Sequence, residues 1–272
     1  MTDLHRIGAV AATILLFSVQ PGGARDVIFV PTPPEVVQRM LELAEVGTGD
    51  RVLDLGSGDG RIVIAAVKDF GAERAVGVDI DPDRIAESQE NARKAGVEDR
   101  VEFRQEDLFE TDLSNADVIT MYLLQSINER LKPRLLAEAQ PGARVVSHDF
   151  HMGSDWPPEH AEIVAGKRVY RWTIPARVEG EWQVQIRHPQ GMREYVLDLH
   201  QDVQQIEAVA RTGDDAATVK EGRIEGDQLS FALENEADGE MDFRGKVEGE
   251  TMRGVVRNGD GTEMPWQAQR VD

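Results

Sequence analysis

The sequence contains no cysteine among its 272 residues. Disulfide bonds, zinc sites built from thiolates and catalysis by a cysteine nucleophile are therefore excluded. Hydrophobic residues make up 40% of the chain, which is enough for an ordinary core, so global disorder is disfavoured as well. A chain of this length is long for one domain and comfortable for two.

Positive charge is scarce. The 30 lysine and arginine residues are outnumbered by 50 aspartate and glutamate residues, and the net charge is −20. A nucleic-acid partner is disfavoured, because neutralising phosphates requires a basic surface. A basic protein partner is electrostatically easier. The alternative is that the acidic surface serves only solubility, and the composition leaves the oligomeric state open.

The first 25 residues differ from the rest of the chain. Ile7–Val19 is a run of 13 apolar or weakly polar residues, too short for the ~20 residues of a membrane-spanning helix. Its length suits the apolar part of a signal peptide. We predict a signal peptide or membrane anchor over 1–25, membrane association through residues 7–19 and a location in the cell envelope. A cytoplasmic location is the alternative.

Strand and helix patterns alternate over residues 26–175, which we predict to be one domain. This alternation indicates an α/β fold, with a Rossmann-like doubly wound sheet and helices on both faces. Ligands of such sheets bind beyond the carboxyl ends of the strands. The helix patterns cover residues 32–44, 60–70, 82–95 and 126–139. The strand patterns cover residues 51–55, 74–79, 101–105, 116–121, 143–149 and 160–175.

Residues 176–272 lack helical periodicity. Short alternating runs recur about every ten residues and are separated by turn signals such as Asn258-Gly259-Asp260-Gly261. We predict a small all-β domain, an antiparallel barrel or sandwich of about eight strands. The predicted strands are 182–186, 195–199, 206–210, 222–225, 228–233, 241–247, 252–256 and 266–269.

A glycine-rich turn follows the first strand and precedes the second helix. Its sequence is Asp54-Leu-Gly56-Ser57-Gly58-Asp59-Gly60, whereas dinucleotide-binding turns have the spacing G-x-G-x-x-G. The carboxylate of Asp54 would repel a pyrophosphate but attract the ammonium group of a methionine moiety. The turn therefore indicates a ligand that joins an amino acid to a nucleoside.

Two further carboxylates follow strands. Asp79 ends the second predicted strand, where an acid can accept hydrogen bonds from both hydroxyls of a ribose. Asp107 follows the third, where it can accept from an adenine amino group while Leu108 packs on the ring. We assign Ile80, the residue after Asp79, to the same binding site.

These motifs give a resemblance. Residues 27–175 resemble a class I S-adenosylmethionine-dependent methyltransferase, which implies S-adenosylmethionine as the cofactor. The positions that match the cofactor residues of that superfamily are Asp54, Gly56, Gly58, Gly60, Asp79 and Asp107. We add Ser57 to this set.

A narrower resemblance rests on Val30-Pro31-Thr32-Pro33 and on the sequence from Leu55 to Ala65. Both are similar to the family of the mitochondrial ATP-synthase c-subunit lysine methyltransferase and its bacterial relatives. The resemblance implies that Pro31 and Thr32 fold over the cofactor. Family members tend to carry an N-terminal membrane segment, which agrees with residues 7–19. The β-rich region after residue 175 is not part of the mitochondrial proteins.

The resemblance predicts N-methylation of a protein amine, with lysine as the acceptor. Two alternatives stay open: a small-molecule methyltransferase whose β-domain forms a lid or binding cup, and a non-catalytic module that binds S-adenosylmethionine. Thr120-Met121-Tyr122-Leu123, at the end of the fourth strand, lacks the Asn/Asp-Pro-Pro-Tyr signature of enzymes that methylate amides or base amino groups.

A lysine acceptor must lose its proton, which a dry and apolar entrance favours. Tyr122 and His148 are the candidate catalytic residues. Strand alternation would place His148 and His151 on opposite faces, so we predict no metal site. The residues predicted to line the substrate side are Phe29, Tyr122, Phe150 and Trp156.

Overall fold

The computed structural model describes residues 30–213, 215–235 and 239–271. The predicted signal peptide or anchor over 1–25, its apolar run and Phe29 lie outside these residues. Within the described ranges, no helix has the length and apolar character needed to cross a membrane.

The first part of the chain forms a seven-stranded sheet in the order β3-β2-β1-β4-β5-β7-β6. The predicted fold class and most predicted elements are confirmed. The helices are α1 (Pro34–Leu43), α2 (Arg61–Lys68), α3 (Pro82–Ala95) and α4 (Gln125–Glu138). The strands are β1 (Arg51–Leu55), β2 (Arg74–Asp79), β3 (Val101–Gln105), β4 (Val118–Met121), β5 (Arg144–His148), β6 (His160–Val164) and β7 (Lys167–Thr173).

Alternate residues of the central strands β1, β4 and β5 enter two separate cores. On β1, Val52 packs in the core that includes the buried faces of α1, α2 and α3, whereas Leu53 packs in the core that includes α4. This is the pattern of a sheet covered on both faces. Strands β1 to β5 run parallel, so their carboxyl ends share one edge of the sheet.

The prediction of a single strand over 160–175 is wrong. The segment is a hairpin, because Ala165 (φ 49°) and Gly166 (φ 77°) both adopt left-handed conformations and reverse the chain in two residues. As a result β7 runs antiparallel to β5 and β6, and the sheet is mixed. Gly166 was the only local turn signal, and the alternating pattern continues across it.

The second part of the chain forms a closed antiparallel barrel, which confirms the predicted β-rich fold and selects a barrel over a sandwich. Each strand pairs with the next along the chain, and the last pairs with the first. Closure gives every barrel strand a partner on each side, so the sheet has no free edge strand within the described residues. Its strands are β8 (Gly180–His188), β9 (Gly191–Asp202), β10 (Gln205–Thr212), β11 (Asp215–Glu225), β12 (Gln228–Asn235), β13 (Gly239–Glu248), β14 (Thr251–Asn258) and β15 (Glu263–Arg270).

Side chains fill the barrel interior. Phe231 and Phe243 stack with their ring centroids 4.5 Å apart, and Trp266 meets Phe243 edge-on at 5.6 Å. These rings belong to one buried apolar cluster that also includes Trp182. An eight-stranded barrel is just wide enough to be filled in this way. The interior is therefore a packed core rather than the binding cup considered from the sequence.

The barrel is attached to the amino-terminal edge of the sheet. Thr173 at the end of β7 pairs with Arg144 at the start of β5, so the chain leaves the sheet at that edge. The amide of Ala176 then donates to the carbonyl of Gly226 at 2.6 Å, and Gln204 Nε2 donates to Glu159 Oε1 at 2.9 Å. The carboxyl ends of the parallel strands lie at the opposite edge.

Gly245 on β13 provides a test of the barrel packing. A Cβ at this position would overlap the indole ring of Trp266 and lie 2.8 Å from the carbonyl oxygen of Arg253. We expect Gly245→Ala to lower the free energy of unfolding by about 1–3 kcal/mol, the usual range for overpacking. Urea unfolding followed by tryptophan fluorescence measures this loss.

Gly259→Ala is the matched control. A Cβ there would have Glu240 O as its nearest neighbour, at 3.8 Å, so we expect a change below about 0.5 kcal/mol. Equal stabilities for the two variants would contradict the described contact between Gly245 and Trp266.

Candidate active site

A cavity of 980 Å³ opens at the carboxyl ends of the parallel strands. Its walls come from the turns after β1, β2, β3 and β4, from residues 30–32 and from Phe150 after β5. None of the described barrel residues lines it. The cavity thus lies where sheets of this type bind ligands, and the barrel is not its lid.

The glycine-rich turn forms the floor of the cavity. Gly56 and Ser57 line it, whereas Gly58 and Gly60 do not. Gly60 has φ 80°, and a Cβ there would lie 2.6 Å from the Phe103 ring, so this glycine allows α2 to begin close to β3. The Gly58 amide donates to Asp79 Oδ2 at 2.9 Å. These two glycines therefore shape the turn.

Asp79 is fixed by two backbone amides. Besides the bond from Gly58, its Oδ1 accepts from the amide of Asp81 at 2.9 Å. An ionised carboxylate has about four acceptor positions, so Asp79 can still accept hydrogen bonds in the cavity that it lines. The Gly58 bond ties the turn after β1 to the end of β2, and the Asp81 bond ties the end of β2 to the start of α3.

Two apolar side chains and a third carboxylate form the next part of the wall. Ile80 is 42% exposed and lines the cavity together with the half-buried Leu108. Asp107 also lines it, and its Oδ1 accepts from the amide of Phe109 at 2.8 Å. This part of the cavity therefore combines apolar surface with a hydrogen-bond acceptor, as a flat heteroaromatic ring requires.

Asp54 is buried at the end of β1, where Thr120 Oγ1 donates to it at 2.7 Å. Burial raises the pKa of the Asp54 carboxyl to about 7; the Thr120 bond opposes this shift, and the charges of Asp79 and Asp59 add to it. The Ser57 hydroxyl, also on the cavity wall, is buried without a hydrogen-bond partner in the described structure. Both groups suit a polar ligand that carries a positive charge.

Residues 30–32 form the rim above this floor. Arg61, the first residue of α2, donates from Nη1 to the carbonyl of Thr32 at 2.8 Å and pairs with Asp59 at 2.5 Å. The Thr32 hydroxyl lies 3.1 Å from His148 Nδ1. Arg61 was not among the predicted site residues, and its position directly after the glycine-rich turn was the only sequence signal for it.

An aromatic wall closes the other end of the cavity. Tyr122 and Phe150 line it, with ring centroids 6.4 Å apart. His148 is fully buried behind Tyr122, with ring centroids 3.8 Å apart, and does not itself line the cavity. Burial lowers the pKa of His148 to about 4; the charge of Asp149 opposes this shift and that of Lys167 adds to it. The His148 imidazole is therefore neutral at pH 7.

Strand alternation fails after His148. Asp149 has φ 63°, and the amide of Phe150 donates back to the carbonyl of His148, so the chain turns instead of continuing as a strand. Asp149 Oδ2 consequently lies 3.5 Å from His148 Nε2 rather than on the opposite face. His151 lies apart, with Nδ1 3.1 Å from the side-chain amide nitrogen of Gln125.

The assignment of Trp156 to the substrate side is wrong. Trp156 is fully buried in the core beside α4, with its ring centroid 6.0 Å from that of Trp172, and its carbonyl accepts from the Trp172 indole at 2.9 Å. The hairpin of β6 and β7 brings Trp172 into this position.

The residues that form most of the cavity lie in a region that matches a known protein family. The ANTKMT methyltransferase domain matches residues 54–160, which include the glycine-rich turn, Asp79 and Asp107. The protein-lysine N-methyltransferase of Saccharolobus islandicus is 51% identical over 149 residues, which cover 54% of this chain and 92% of that protein. The chain belongs to the ANTKMT methyltransferase family.

Other similar proteins are methyltransferases as well. The ATP synthase c-subunit lysine N-methyltransferase of Xenopus laevis is 33% identical over 132 residues, which cover 48% of this chain and 57% of that protein. The crystal structure of an RNA methyltransferase from Salinibacter ruber, in complex with S-adenosyl-L-homocysteine, is 56% identical with a TM-score of 0.53. The match covers 55% of this chain and 96% of the Salinibacter ruber chain. The resemblance predicted from the motifs is confirmed.

As a member of the ANTKMT methyltransferase family, the chain is an enzyme that uses S-adenosylmethionine. The cavity fits this cofactor. It supplies a buried carboxylate and an unpartnered serine hydroxyl at the floor, an oriented carboxylate at Asp79, and apolar side chains beside Asp107.

Ionisation of Asp54 makes the stability of the folded protein depend on pH. Its folded pKa of about 7 lies above the ordinary 3.8, so ionising it costs stability as the pH rises from about 4 to about 7, and the cost persists above 7. We expect Asp54→Asn to raise the melting temperature of the ligand-free protein by several degrees at pH 8, with a difference that shrinks towards pH 5. Thermal unfolding at both pH values measures it.

The same variant should bind S-adenosylhomocysteine more weakly at pH 8, since the amide cannot pair with an ammonium group. Asp242→Asn, at an exposed position on β13, is the control and should change neither property. A loss of stability in Asp54→Asn at pH 8, or a gain of the same size at both pH values, would contradict the raised pKa.

Proposed function

We propose that this enzyme transfers a methyl group from S-adenosylmethionine to the side-chain amine of a lysine in a protein. The observation that carries the proposal is the division of one cavity into a carboxylate-rich part and an aromatic wall formed by Tyr122 and Phe150. The names of the Saccharolobus islandicus and Xenopus laevis relatives, both lysine N-methyltransferases, support the choice of acceptor.

In the carboxylate-rich part, each proposed contact follows from the chemistry of the side chain. Asp54 faces the ammonium group, Asp79 accepts from the ribose hydroxyls and Asp107 accepts from the adenine amino group. Ile80 and Leu108 pack on the two faces of the adenine ring. Ser57 supplies a hydroxyl at the floor, Pro31 and Thr32 cover the cofactor, and Gly56, Gly58 and Gly60 shape the turn beneath it.

The bound cofactor supplies an electrophilic methyl group on a sulfonium. The protein has to present a neutral amine in line with it and close to it. Tyr122 and Phe150 serve this purpose, because an apolar wall lowers the pKa of an amine that enters it. Alignment and desolvation thus take the place of a strong base in this proposal.

The charges around the cavity favour a cationic acceptor segment. The lining includes six carboxylates and two guanidinium groups: Asp54, Asp59, Asp79, Asp81, Glu106, Asp107, Arg61 and Arg84. Arg61 is itself paired with Asp59. This field attracts lysine and repels phosphate, so it favours a basic protein segment over RNA, the substrate class in the name of the Salinibacter ruber relative.

The test uses purified full-length protein, S-adenosylmethionine and a library of basic peptides that each contain one lysine. We expect a mass increase of one or more methyl groups on lysine, and no increase on matched peptides with arginine in its place. Asp79→Asn should reduce the rate by at least about tenfold, the cost of a lost charged hydrogen bond. Asp242→Asn should leave it unchanged.

A parallel reaction contains total RNA in place of peptide. Methyl transfer to RNA without transfer to any lysine peptide would refute the lysine proposal. It would leave the use of S-adenosylmethionine intact.

A further inference from the structure

His148 occupies a buried position between two walls of the cavity without lining it. Its Nδ1 lies 3.1 Å from the hydroxyl of Thr32, which is 116 residues earlier in the chain. Its ring stacks on Tyr122 with centroids 3.8 Å apart. One side chain therefore contacts both the rim residue next to Pro31 and the aromatic wall.

Two polar contacts of Thr32 anchor the rim. Val30 is 54% exposed and Pro31 is exposed, whereas Thr32 is 3% exposed. The carbonyl of Thr32 is held by Arg61 and its hydroxyl by His148. The first contact connects the rim to α2, and the second connects it to the end of β5. The hydroxyl contact is thus the one that relates the rim to the aromatic wall.

The surroundings of His148 select one tautomer. Its Nε2 has no hydrogen-bond partner among the described residues but lies 3.5 Å from Asp149 Oδ2, and the charge of this carboxylate favours a proton on Nε2. Nδ1 then accepts and the Thr32 hydroxyl donates. A second proton on the ring would occupy Nδ1 and remove this acceptor.

The groups that face His148 also disfavour a role in proton transfer. Asp149, Lys167 and Tyr122 surround it, and Lys167 Nζ is paired with Asp149 Oδ2 at 2.9 Å. The Tyr122 ring lines the cavity and His148 does not, so the imidazole has no direct path to an amine in the cavity. A general base must lie within hydrogen-bond reach of the proton that it removes.

We propose that His148 is a positioning residue that holds the Pro31–Thr32 rim in place over the cofactor and fixes the plane of the Tyr122 ring at the acceptor end. The part that concerns the rim rests only on cofactor binding, whereas the part that concerns Tyr122 rests on the proposed function. Because the two parts have different readouts, a wrong acceptor would not be mistaken for a wrong role of His148.

The first experiment measures S-adenosylhomocysteine binding by calorimetry in Thr32→Val, His148→Phe and the double variant. Valine has the shape of threonine without the hydroxyl, and phenylalanine keeps a ring against Tyr122. We expect each single variant to weaken binding about fivefold, the value of one ordinary hydrogen bond. The double variant should be no weaker than the worse single variant, because both remove the same contact.

Two further variants complete the set. His148→Asn can place an oxygen near the position of Nδ1 and should restore most of the binding. His200→Phe makes the same chemical change at an exposed barrel histidine and should bind like the wild type. Unchanged binding in Thr32→Val, or fully additive losses in the double variant, would overturn the rim part of the proposal.

The second experiment measures kcat and the acceptor KM from pH 5 to pH 9. A positioning role predicts that His148→Phe keeps kcat within about tenfold of the wild type and leaves the shape of its pH profile unchanged. His148→Ala removes the ring that packs against Tyr122, so it should raise the acceptor KM more than His148→Phe does. If His148 were a general base, His148→Phe would lower kcat by about 10²-fold or more while cofactor binding stayed intact. That result would overturn the proposal.

Discussion

The hydrogen bonds that converge on the Asp79 carboxylate are the constraint on which the site depends. One oxygen accepts from Gly58 in the turn after β1, and the other accepts from Asp81 at the start of α3. The glycine-rich turn, the end of β2 and the next helix are thereby held as one unit. This unit forms the floor of the cavity. It also fixes the position of Ile80 in the apolar wall, because Ile80 lies between Asp79 and Asp81 in the chain. The carboxylate thus orders the protein before any ligand is present.

Asp54 shows the opposite relation between stability and function. Its burial, only partly offset by Thr120, makes the charged form unfavourable in the empty cavity. A cationic ligand would relieve this cost at the point of contact. Active sites often hold a group in an environment that suits the ligand better than it suits the free protein. The shared family region extends over residues 54–160 and ends before β8, so this electrostatic arrangement belongs to the sheet and not to the barrel.

Local patterns predicted most of the fold, because the order of apolar and polar residues within a strand or helix reflects which of its faces is buried. The eight barrel strands were found from alternation and turn residues alone, and β1, β2, α3 and β3 were found with their observed bounds. The failures depend on distant parts of the chain. Trp156 was a candidate for the substrate side because an aromatic ring suits a dry, apolar entrance, but the β6–β7 hairpin supplies Trp172, and Trp156 packs against it in the core. The contact between His148 and Thr32 has no local signal, since its partners are 116 residues apart.

The barrel joins the sheet at the amino-terminal ends of the parallel strands, whereas the cavity lies at their carboxyl ends. Strand β5 has five residues at about 3.3 Å each, so roughly 15 Å of hydrogen-bonded backbone lies between the barrel junction and the aromatic wall. None of the described barrel residues lines the cavity, so the barrel surface and the reacting groups are formed by different parts of the chain. The barrel surface can therefore diversify under selection while the reacting geometry is preserved, and the enzyme can acquire new attachments without rebuilding its chemistry.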